Sequence, residues 1–250
     1  MSTSVWISGA SRGIGAALVA QQPYSDAIVY DLSRSGGTPS TTHVPVDLAD
    51  PPSWSTAAAH FAAGLAEHAP DRAVFVHNAA TIEPMGPAGA TDPAAYEASV
   101  LLNAAAPQAL GAAFLAAVAA AGTPEATLAI ISSGAATGAR AGWSAYCAGK
   151  AAVEMWVRTV GLEQAAREHG VRVLAIAPGV IDTDMQALIR QQSAAVFPTV
   201  DRFVEMHQQG QLVSPEDAAR DLWDVIANRD LPTGSVVDLR TFDDPVDEEH

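Results

Sequence analysis

Short apolar runs alternate with longer segments of helical periodicity along almost the whole chain. The apolar runs are Val5–Ser8, Ala27–Leu32, His43–Val46, Ala73–His77, Thr127–Ser132, Val171–Ala177 and Ser235–Leu239. The helical segments between them are Gly13–Gln22, Pro52–His68, Pro93–Ala121, Ser144–His169 and Pro215–Asn228. Strands that are apolar throughout and separated by helices are typical of a parallel sheet covered on both faces. Because crossover connections are right-handed, the pattern predicts an α/β fold with a doubly wound parallel sheet of about seven strands.

Two segments depart from this alternation. Residues 182–210 lie between the sixth run and the last helical segment, and an insertion of that length is often a lid or a binding loop. The residues from 243 onward are acidic and interrupted by Pro245, which indicates a solvated tail. We therefore expect one domain over residues 1–242, with a substrate lid at 182–210, followed by an acidic tail at 243–250.

A third segment carries no charged residue between Glu97 and Glu125. It is mostly alanine and contains Asn103 and Pro107, so its apolar content is weak for a membrane span. A helix that is apolar all round is usually buried in protein. We expect this helix to pack on the sheet and, together with the long helix after Tyr146, against a second subunit, which predicts a homodimer. Since the N-terminus lacks the features of a signal peptide, we expect a soluble, cytoplasmic protein with no membrane partner.

The charge balance narrows the classes of partner. The 250 residues include 28 acidic and 13 basic side chains, which gives a net charge of −15. Phosphate backbones repel such a chain, so we expect no nucleic-acid partner. Cys147 is the only cysteine, which excludes an intramolecular disulfide and suits a reducing compartment. The seven histidines show no metal-ligand spacing, and we expect no metal.

The first apolar run leads directly into a glycine-rich turn, Gly9-Ala10-Ser11-Arg12-Gly13-Ile14-Gly15. Glycines permit a tight turn, and the N-terminus of the helix that follows presents free N–H groups to a pyrophosphate. Alone, this turn is a weak signal, because its glycine spacing is not that of the common dinucleotide fingerprint and an ordinary turn explains it equally well.

Two arginines strengthen the nucleotide-binding interpretation, Arg12 in the turn and Arg34 after the second run. An arginine at the end of the second strand suits the 2′-phosphate of NADP, whereas a carboxylate there suits the ribose of NAD. Asp31 and Ser33 share one face of that strand, so the register decides which of them lies at the ribose. Two arginines in one small region of a strongly acidic chain favour NADP(H).

Tyr146 and Lys150 are four residues apart at the start of a helical segment and therefore share a helix face. A nearby cation lowers the pKa of a phenol towards neutral pH, which suits a proton donor. Alone, the spacing is common, and a surface pair explains it as well. Ser133 follows the fifth run, at the edge where such sheets bind ligands. Asn103 is a candidate for ordering a proton-relay water, or else a cap or kink residue near Pro107.

Further motifs follow at fitting intervals, namely Asp47-Leu48, His77-Asn78-Ala79-Ala80 and Pro178-Gly179. With the glycine turn and the tyrosine–lysine pair, they make the chain resemble a classical short-chain dehydrogenase/reductase over essentially its whole length. The resemblance implies a single-domain Rossmann-type fold and a catalytic tetrad of Asn103, Ser133, Tyr146 and Lys150. It also implies cofactor contacts from Gly9, Ser11, Arg12, Gly13, Ile14, Gly15, Arg34, Asp47, Leu48, Asn78, Ala79, Tyr146, Lys150, Pro178 and Gly179. The family usually has Asn-Asn-Ala-Gly where this chain has His77-Asn78-Ala79-Ala80, but the key Asn78 is kept.

A narrower resemblance lies in residues 142–152 and 177–186, which are similar to the sepiapterin reductases and the bacterial benzil reductases. Both groups reduce vicinal dicarbonyl compounds with NADPH. The resemblance implies that Ile181 and Thr183 also contact the cofactor. Sepiapterin reductases hold the amino edge of the pterin with a C-terminal aspartate, for which Asp238 is the nearest candidate here and Asp243 and Asp244 compete.

We therefore expect an enzyme, an NADPH-dependent carbonyl reductase that converts a vicinal dicarbonyl such as a benzil-like diketone to a chiral hydroxy ketone. Trp143 and Met185 are candidate substrate contacts, with packing of the protein interior as the alternative. Reduction of a pterin side-chain ketone stays open, as does a non-catalytic NADP(H)-sensing regulatory protein. A reductase of acyl-carrier-bound ketones would need a basic docking patch, which the net charge of −15 disfavours.

Overall fold

The computed structural model describes residues 1–37 and 40–242 and contains one parallel seven-stranded sheet. Its strands are β1 (Thr3–Ser8), β2 (Ala27–Ser33), β3 (Thr42–Pro45), β4 (Arg72–His77), β5 (Glu125–Ile131), β6 (Arg172–Ala177) and β7 (Val236–Asp238). Each strand coincides with a predicted apolar run to within two residues at either end. The α/β fold class is therefore confirmed.

Eight α-helices connect and flank these strands in the described part of the chain. They are α1 (Gly13–Ala20), α2 (Trp54–His68), α3 (Pro93–Val100), α4 (Ala106–Ala121), α5 (Ser144–Ala165), α6 (Asp184–Arg190), α7 (Val200–Gln208) and α8 (Pro215–Ala227). The strand order is β3-β2-β1-β4-β5-β6-β7, so the chain winds outward from β1 in one direction and then from β4 in the other. Open sheets of this kind bind ligands beyond the carboxyl ends of the strands where the order reverses.

The apolar side chains of the strands divide between the two faces of the sheet, because successive residues of a strand point to opposite sides. On β1, Trp6 packs in one core with Phe61 and Phe114. Val5 and Ile7 face the other core, which is closed by α1 and α8. Both faces are thus covered, and the carboxyl edge of the sheet is left for the functional site.

The long uncharged segment Pro93–Ala121 is not one regular helix. A π-helical turn at Leu101–Ala105 separates α3 from α4. The whole 29-residue stretch has a mean hydropathy of 1.6 in its most apolar window and is long enough to cross a membrane. Its Leu110 and Phe114 are almost fully buried in the sheet core, as expected of an interior helix.

The insertion at residues 182–210 contains α6 and α7, and both helices lie beside the carboxyl edge of the sheet, where they line the same cavity as β2 and β5. The salt bridge between Arg190 and Asp182 (3.8 Å) ties the end of α6 back to the start of the insertion. The acidic tail predicted at 243–250, with Asp243 and Asp244, lies outside the described residues.

Candidate active site

A cavity of about 700 Å³ opens at the carboxyl ends of the strands, where the sheet order reverses. Most of the residues predicted to bind the cofactor or substrate line it. They are Gly9, Ser11, Arg12, Gly13, Ile14, Arg34, Asp47, Leu48, Asn78, Ala79, Ser133, Trp143, Tyr146, Lys150, Pro178, Gly179, Ile181, Thr183 and Met185. Three predicted residues, Gly15, Asn103 and Asp238, are not part of the lining.

The glycine turn needs its glycines for both conformation and space. Gly9 has a φ of +68°, a left-handed conformation that disfavours other residues, and a Cβ there would lie 3.1 Å from Cα of Ala79. Gly15 packs directly on the Gly9 carbonyl, so a side chain at either position would push the turn apart. Gly15 thus shapes the turn from behind instead of lining the cavity.

Asn78 holds this turn from the neighbouring strand. Its side-chain amide donates to the carbonyl oxygens of Ser8 (3.2 Å) and Gly9 (3.3 Å). The backbone N–H groups of Asn78 and Ala79 both donate to the Ser8 hydroxyl, at 3.0 Å and 3.1 Å. The asparagine motif after β4 therefore fixes the turn after β1, and this explains why the two signals occur together.

The first turn of α1 offers free backbone donors towards the cavity. The residue before the helix, Arg12, makes no side-chain cap, and the first turn contains no acidic residue. Such an N-terminus favours a phosphate group. The Arg12 guanidinium instead extends to Asp184 at the start of α6, 3.7 Å away, and both side chains are largely exposed. Arg12 thereby bridges the glycine turn and the insertion.

Asp31 and Ser33 differ in their position relative to the cavity. Asp31 is fully buried opposite Ile7 and does not line the cavity, whereas Ser33 and Arg34 do. One Asp31 carboxylate oxygen accepts a hydrogen bond from the Ser33 hydroxyl at 3.0 Å, and it packs against Gly37. At the cavity wall, this strand end therefore presents a hydroxyl and a guanidinium. Asp47, after β3, lines the same end and accepts the backbone N–H of Ala49 at 2.9 Å.

The phenol of Tyr146 lies at the other end of the cavity. The side chain is buried except where it faces the cavity, which Ser133 also lines. Burial raises the pKa of Tyr146 above its ordinary value, and its interaction with the Ser133 hydroxyl lowers it in part. The sequence predicts the opposite direction, a pKa lowered by Lys150. That prediction is wrong for this structure, because burial costs the phenolate its hydration and outweighs the other contributions.

Lys150 lies one helical turn beyond Tyr146 on α5 and is almost completely buried. Its Nζ donates to the carbonyl oxygen of Ile131 at 2.7 Å and lies 5.6 Å from the centre of the Tyr146 ring. Burial lowers the pKa of Lys150 to about 8, against a smaller opposing effect of Glu154. The ammonium therefore titrates within a range where an enzyme operates.

Asn103 is buried in the π-helical turn, and its amide is used in structural hydrogen bonds. Its Oδ1 accepts the N–H of Thr81 at 3.0 Å, and its Nδ2 donates to the Thr81 carbonyl at 2.8 Å and to the Ser99 hydroxyl at 3.1 Å. A Cβ at Gly149 would lie 2.9 Å from the Asn103 Cβ, so Asn103 packs against the helix turn that carries Lys150. The structure therefore places Asn103 against the turn of α5 that carries Lys150 but outside the cavity lining.

An aromatic cluster forms the wall next to Tyr146. Trp143 stacks on Phe197 with ring centres 4.5 Å apart and contacts the edges of Tyr146 and Phe203. Trp143 is 5% exposed and lines the cavity, so it serves both packing and lining, the two alternatives that its sequence context leaves open. Met185, from α6, lines the same wall.

Asp238 is placed differently from the sequence prediction. Its carboxylate is held by the guanidinium of Arg240, through Nε at 2.9 Å and through a second bond from Nη2. It is Arg240 that lines the cavity, and its Nη2 lies over Gly134, next to Ser133. The Asp238 carboxylate is thus occupied within the protein and does not reach the substrate side.

Some cavity residues carry no motif that sequence reasoning could use. Thr81 and Ile82, after β4, belong to the lining, and so do Arg140 and Arg202. Arg140 lies over the Trp143 ring at 5.8 Å, a contact between residues only three apart. Basic residues in a very acidic chain are the one signal that could have drawn attention to Arg140 and Arg202. Within residues 1–37 and 40–242, no group of His, Cys, Asp and Glu is arranged to hold a metal ion.

The residues of the cavity fit a dinucleotide of the nicotinamide type. The close packing of Gly9 on Ala79 leaves a backbone cradle that any side chain would fill, and the free N–H groups of α1 face it. Arg34, Asp47 and Leu48 border one end, and Tyr146 and Lys150 border the other. The cavity lining is therefore polar at the first end and aromatic at the second.

Comparison with known proteins identifies the class. The family model for short chain dehydrogenase matches residues 3–194, and the chain belongs to this family. The benzil reductases ((S)-benzoin forming) of Bacillus subtilis and Bacillus cereus are 32% and 30% identical to it, over 94% and 93% of this chain and 98% and 97% of theirs. Both resemblances drawn from the sequence are thus confirmed at the level of relatedness.

Two further comparisons show how much of the chain each similarity covers. The sepiapterin reductase of Bos taurus is 38% identical over 99 residues only, 39% of this chain and 35% of that protein. The crystal structure of the KRED1-Pglu enzyme superposes with a TM-score of 0.79 at 26% identity, and it covers 94% of this chain and 100% of its own. The chain is thus an oxidoreductase of the short-chain type, similar over its whole length to two benzil reductases.

Proposed function

We propose that this protein is an NADPH-dependent carbonyl reductase that reduces a vicinal dicarbonyl compound, such as a benzil-like diketone, to a chiral hydroxy ketone. The observation that carries the proposal is that Ser133, Tyr146 and Lys150 line one end of a cavity that has a glycine cradle suited to a dinucleotide at its other end. Proton donation, charge stabilisation and cofactor binding are thereby combined in one site.

The side chains divide the proton chemistry of ketone reduction. When bound, a reduced nicotinamide supplies the hydride that the carbonyl carbon accepts. The hydroxyls of Ser133 and Tyr146 hydrogen-bond the carbonyl oxygen, and Tyr146 donates its proton to that oxygen as it becomes an alkoxide. A raised phenol pKa suits this role, because the phenol stays protonated until the much more basic alkoxide forms. The Lys150 ammonium then stabilises the phenolate that is left.

The aromatic wall supports a substrate with an apolar aromatic group. Trp143, Phe203 and Ile82 come together beside the Tyr146 ring, and α6 and α7 add Met185 and Met206. Flat apolar surfaces of this kind pack well against aryl rings and exclude water from the carbonyl. Two relatives that match over 97% and 98% of their length are named as benzil reductases, which is consistent with a diaryl diketone.

The end of β2 supports NADPH over NADH. Arg34 and Ser33 line the cavity where the adenosine ribose of the cofactor would lie, and the carboxylate of the same strand, Asp31, is buried and does not line the cavity. A guanidinium favours a 2′-phosphate, whereas NAD-binding folds of this type use a carboxylate at the ribose. We therefore propose NADP(H) as the cofactor.

The pterin substrate has less support. Asp238, which would have to hold the amino edge of a pterin, is engaged by Arg240 outside the cavity lining. The similarity to a sepiapterin reductase also covers 39% of the chain, against 94% for the Bacillus subtilis benzil reductase. We accordingly propose the diketone, with a non-catalytic NADP(H)-sensing protein as the alternative from another class.

A substrate screen with NADPH and NADH in parallel tests this function. We expect oxidation of NADPH in the presence of benzil and 1-phenyl-1,2-propanedione, slower oxidation of NADH, and little turnover of sepiapterin. Binding of NADPH without consumption by any ketone would contradict the reductase and favour the sensor. Chiral chromatography of the product then shows whether one hydroxy ketone enantiomer is formed.

We further propose that the protein is a cytoplasmic homodimer. Met155 and Leu162, seven residues apart on α5, are 61% and 77% exposed. Large apolar side chains at this spacing share a helix face, and a second copy related by a two-fold axis would cover both at once. The single cysteine, Cys147, suits a reducing compartment.

A further inference from the structure

Glu154 is a buried acid that the proposed chemistry does not use. It lies one helical turn beyond Lys150 on α5, and only 5% of it is exposed. Its Oε1 accepts a buried hydrogen bond from the Ser132 hydroxyl at 2.7 Å. Its Oε2 lies 3.7 Å from the guanidinium of Arg158, which is half exposed on the same helix. Because burying a carboxylate is costly, this position calls for a physical explanation.

Glu154 completes a set of contacts between the end of β5 and α5. Two consecutive residues at the strand end are each held by a side chain of that helix. The Ile131 carbonyl accepts from Lys150, and the Ser132 hydroxyl donates to Glu154. The next residue, Ser133, lines the cavity together with Tyr146. The residue that contacts the substrate, Ser133, thus follows directly after the one that Glu154 holds.

The charges around Lys150 give Glu154 a second effect. The groups that face the ammonium are Tyr146 and Glu154 on its own helix, the Ile131 carbonyl on β5 and His77 at the end of β4. Burial lowers the pKa of His77 to about 3, with a further contribution from Lys150, so the imidazole is neutral. Among these groups Glu154 is the acidic side chain, and its effect raises the pKa of Lys150.

We propose that Glu154 is a positioning residue of the active site, which fixes the Ser132–Ser133 strand end against α5 and keeps the buried Lys150 side chain in its ammonium form. Its effect on the rate rests on the proposed carbonyl reduction, whereas its effect on Lys150 does not. The carboxylate acts through Ser132 and Lys150 and has no contact with the substrate cavity, which it does not line.

The composition of the chain makes a direct test possible, since Lys150 is its only lysine. Protein labelled with 13C and 15N in lysine alone gives one Nζ resonance and one Cε resonance. Their chemical shifts as a function of pH report the protonation of Lys150 without any turnover. Three variants separate the two roles. Glu154→Gln keeps an acceptor for Ser132 and removes the charge, Glu154→Asp keeps the charge and shortens the reach, and Ser132→Ala removes the hydrogen bond alone.

A matched control is Glu163→Gln, the same change at an exposed position of α5. Circular dichroism establishes that each variant is folded, and cofactor titration establishes that it binds the cofactor, before the variants are compared. Rates of ketone reduction are then measured between pH 6 and pH 9 with the cofactor saturating, and kcat and KM are reported separately.

We expect Glu154→Gln to move the Lys150 titration to lower pH by roughly one unit, because an opposite charge nearby favours the charged form. The fall of kcat at alkaline pH should move to lower pH by the same amount. Glu154→Asp and Glu163→Gln should leave the pH of the Lys150 titration unchanged. Ser132→Ala should lower kcat about tenfold by loosening Ser133, with little change in the KM for NADPH.

An unchanged Lys150 titration in Glu154→Gln would overturn the electrostatic role. An unchanged kcat in Ser132→Ala would overturn the positioning role. If the wild-type protein reduces no ketone, the proposed function fails. The Lys150 titration still decides whether Glu154 keeps the lysine in its ammonium form.

Discussion

The Nζ atom of Lys150 lies 5.6 Å from the centre of the Tyr146 ring and gives its hydrogen bond to the carbonyl of Ile131 instead of the phenol. The two groups therefore do not share a proton before reaction. Tyr146 is a neutral donor with a raised pKa, and Lys150 is a cation whose pKa burial lowers to about 8. In the proposed reduction, the phenol protonates the alkoxide and the ammonium then stabilises the phenolate.

The first prediction concerns this phenol. Tyr146→Phe removes the proton donor and keeps the ring that packs on Trp143, so kcat for diketone reduction should fall about 10²–10⁴-fold. NADPH binding, measured by fluorescence titration, should change little. Tyr96→Phe is the matched control, since the Tyr96 hydroxyl contacts Ser144 outside the cavity. Equal rates for Tyr146→Phe and the wild-type protein would exclude the assigned role.

Much of this site could be predicted from the sequence because its parts are local. The glycine turn, Tyr146 and Lys150 each depend on spacing within one strand–helix unit, and parallel strands end at one edge. Asn78 is a longer-range example that still follows from topology, since β4 pairs with β1. Each of these residues reaches the cavity from a strand end or a helix start that the hydrophobic pattern had located.

The parts that could not be predicted depend on contacts far apart in sequence. Asn103 is bonded to the backbone of Thr81, 22 residues earlier, and nothing in the helical pattern specifies that partner. The direction of the Tyr146 pKa shift depends on how deeply the ring is buried, which spacing cannot give. For Asp238 the contact is local, but the sequence does not show that Arg240, two residues later, faces the cavity in its place.

The second prediction concerns the choice of nucleotide. Arg34→Ala removes the guanidinium at the adenosine end, and a hydrogen bond to a charged group contributes about 1.5–3 kcal/mol. The kcat/KM for NADPH should therefore fall about 10–100-fold, while that for NADH changes little. Arg167→Ala removes an exposed arginine away from the cavity and serves as the control. Equal losses with both nucleotides would show that Arg34 does not recognise the 2′-phosphate.

The third prediction concerns the aromatic wall. Phe197 is fully buried and stacks on Trp143, so Phe197→Ala should lower the free energy of unfolding by about 3–5 kcal/mol. Because the stacked ring also holds the insertion against Trp143, the KM for benzil should rise. Urea unfolding and steady-state kinetics measure the two effects. Phe242→Ala, at a partly exposed phenylalanine, should leave both within error.

The fourth prediction is a pH dependence of stability that arises from His77. Burial lowers the pKa of His77 to about 3 in the folded protein, from an ordinary value of 6.5. Between those values the unfolded chain binds the proton and the folded chain does not, so stability is lost as the pH falls. This one group should remove about 2 kcal/mol of the free energy of unfolding between pH 7 and pH 5.

Comparison of variants isolates this histidine from the other titrating groups. His77→Asn should flatten the loss between pH 7 and pH 5 by that amount, whereas the same substitution at the exposed His169 should not. Urea unfolding at each pH gives the values. If His77→Asn and the wild-type protein lose stability in parallel over this range, the burial of His77 does not cause the loss of stability.

The last prediction concerns assembly. Leu162 is 77% exposed and Met155 is 61% exposed, and both lie on one face of α5. If two copies pair through this face, Leu162→Glu places a carboxylate in an apolar contact without a partner, which is strongly unfavourable. Light scattering should then report a dimer for the wild-type protein and a monomer for Leu162→Glu. Ile28→Glu, at an exposed position on β2 near the opposite edge of the sheet, should stay dimeric. A wild-type monomer at all working concentrations, or a dimer unaffected by Leu162→Glu, would place the subunit contact elsewhere or remove it.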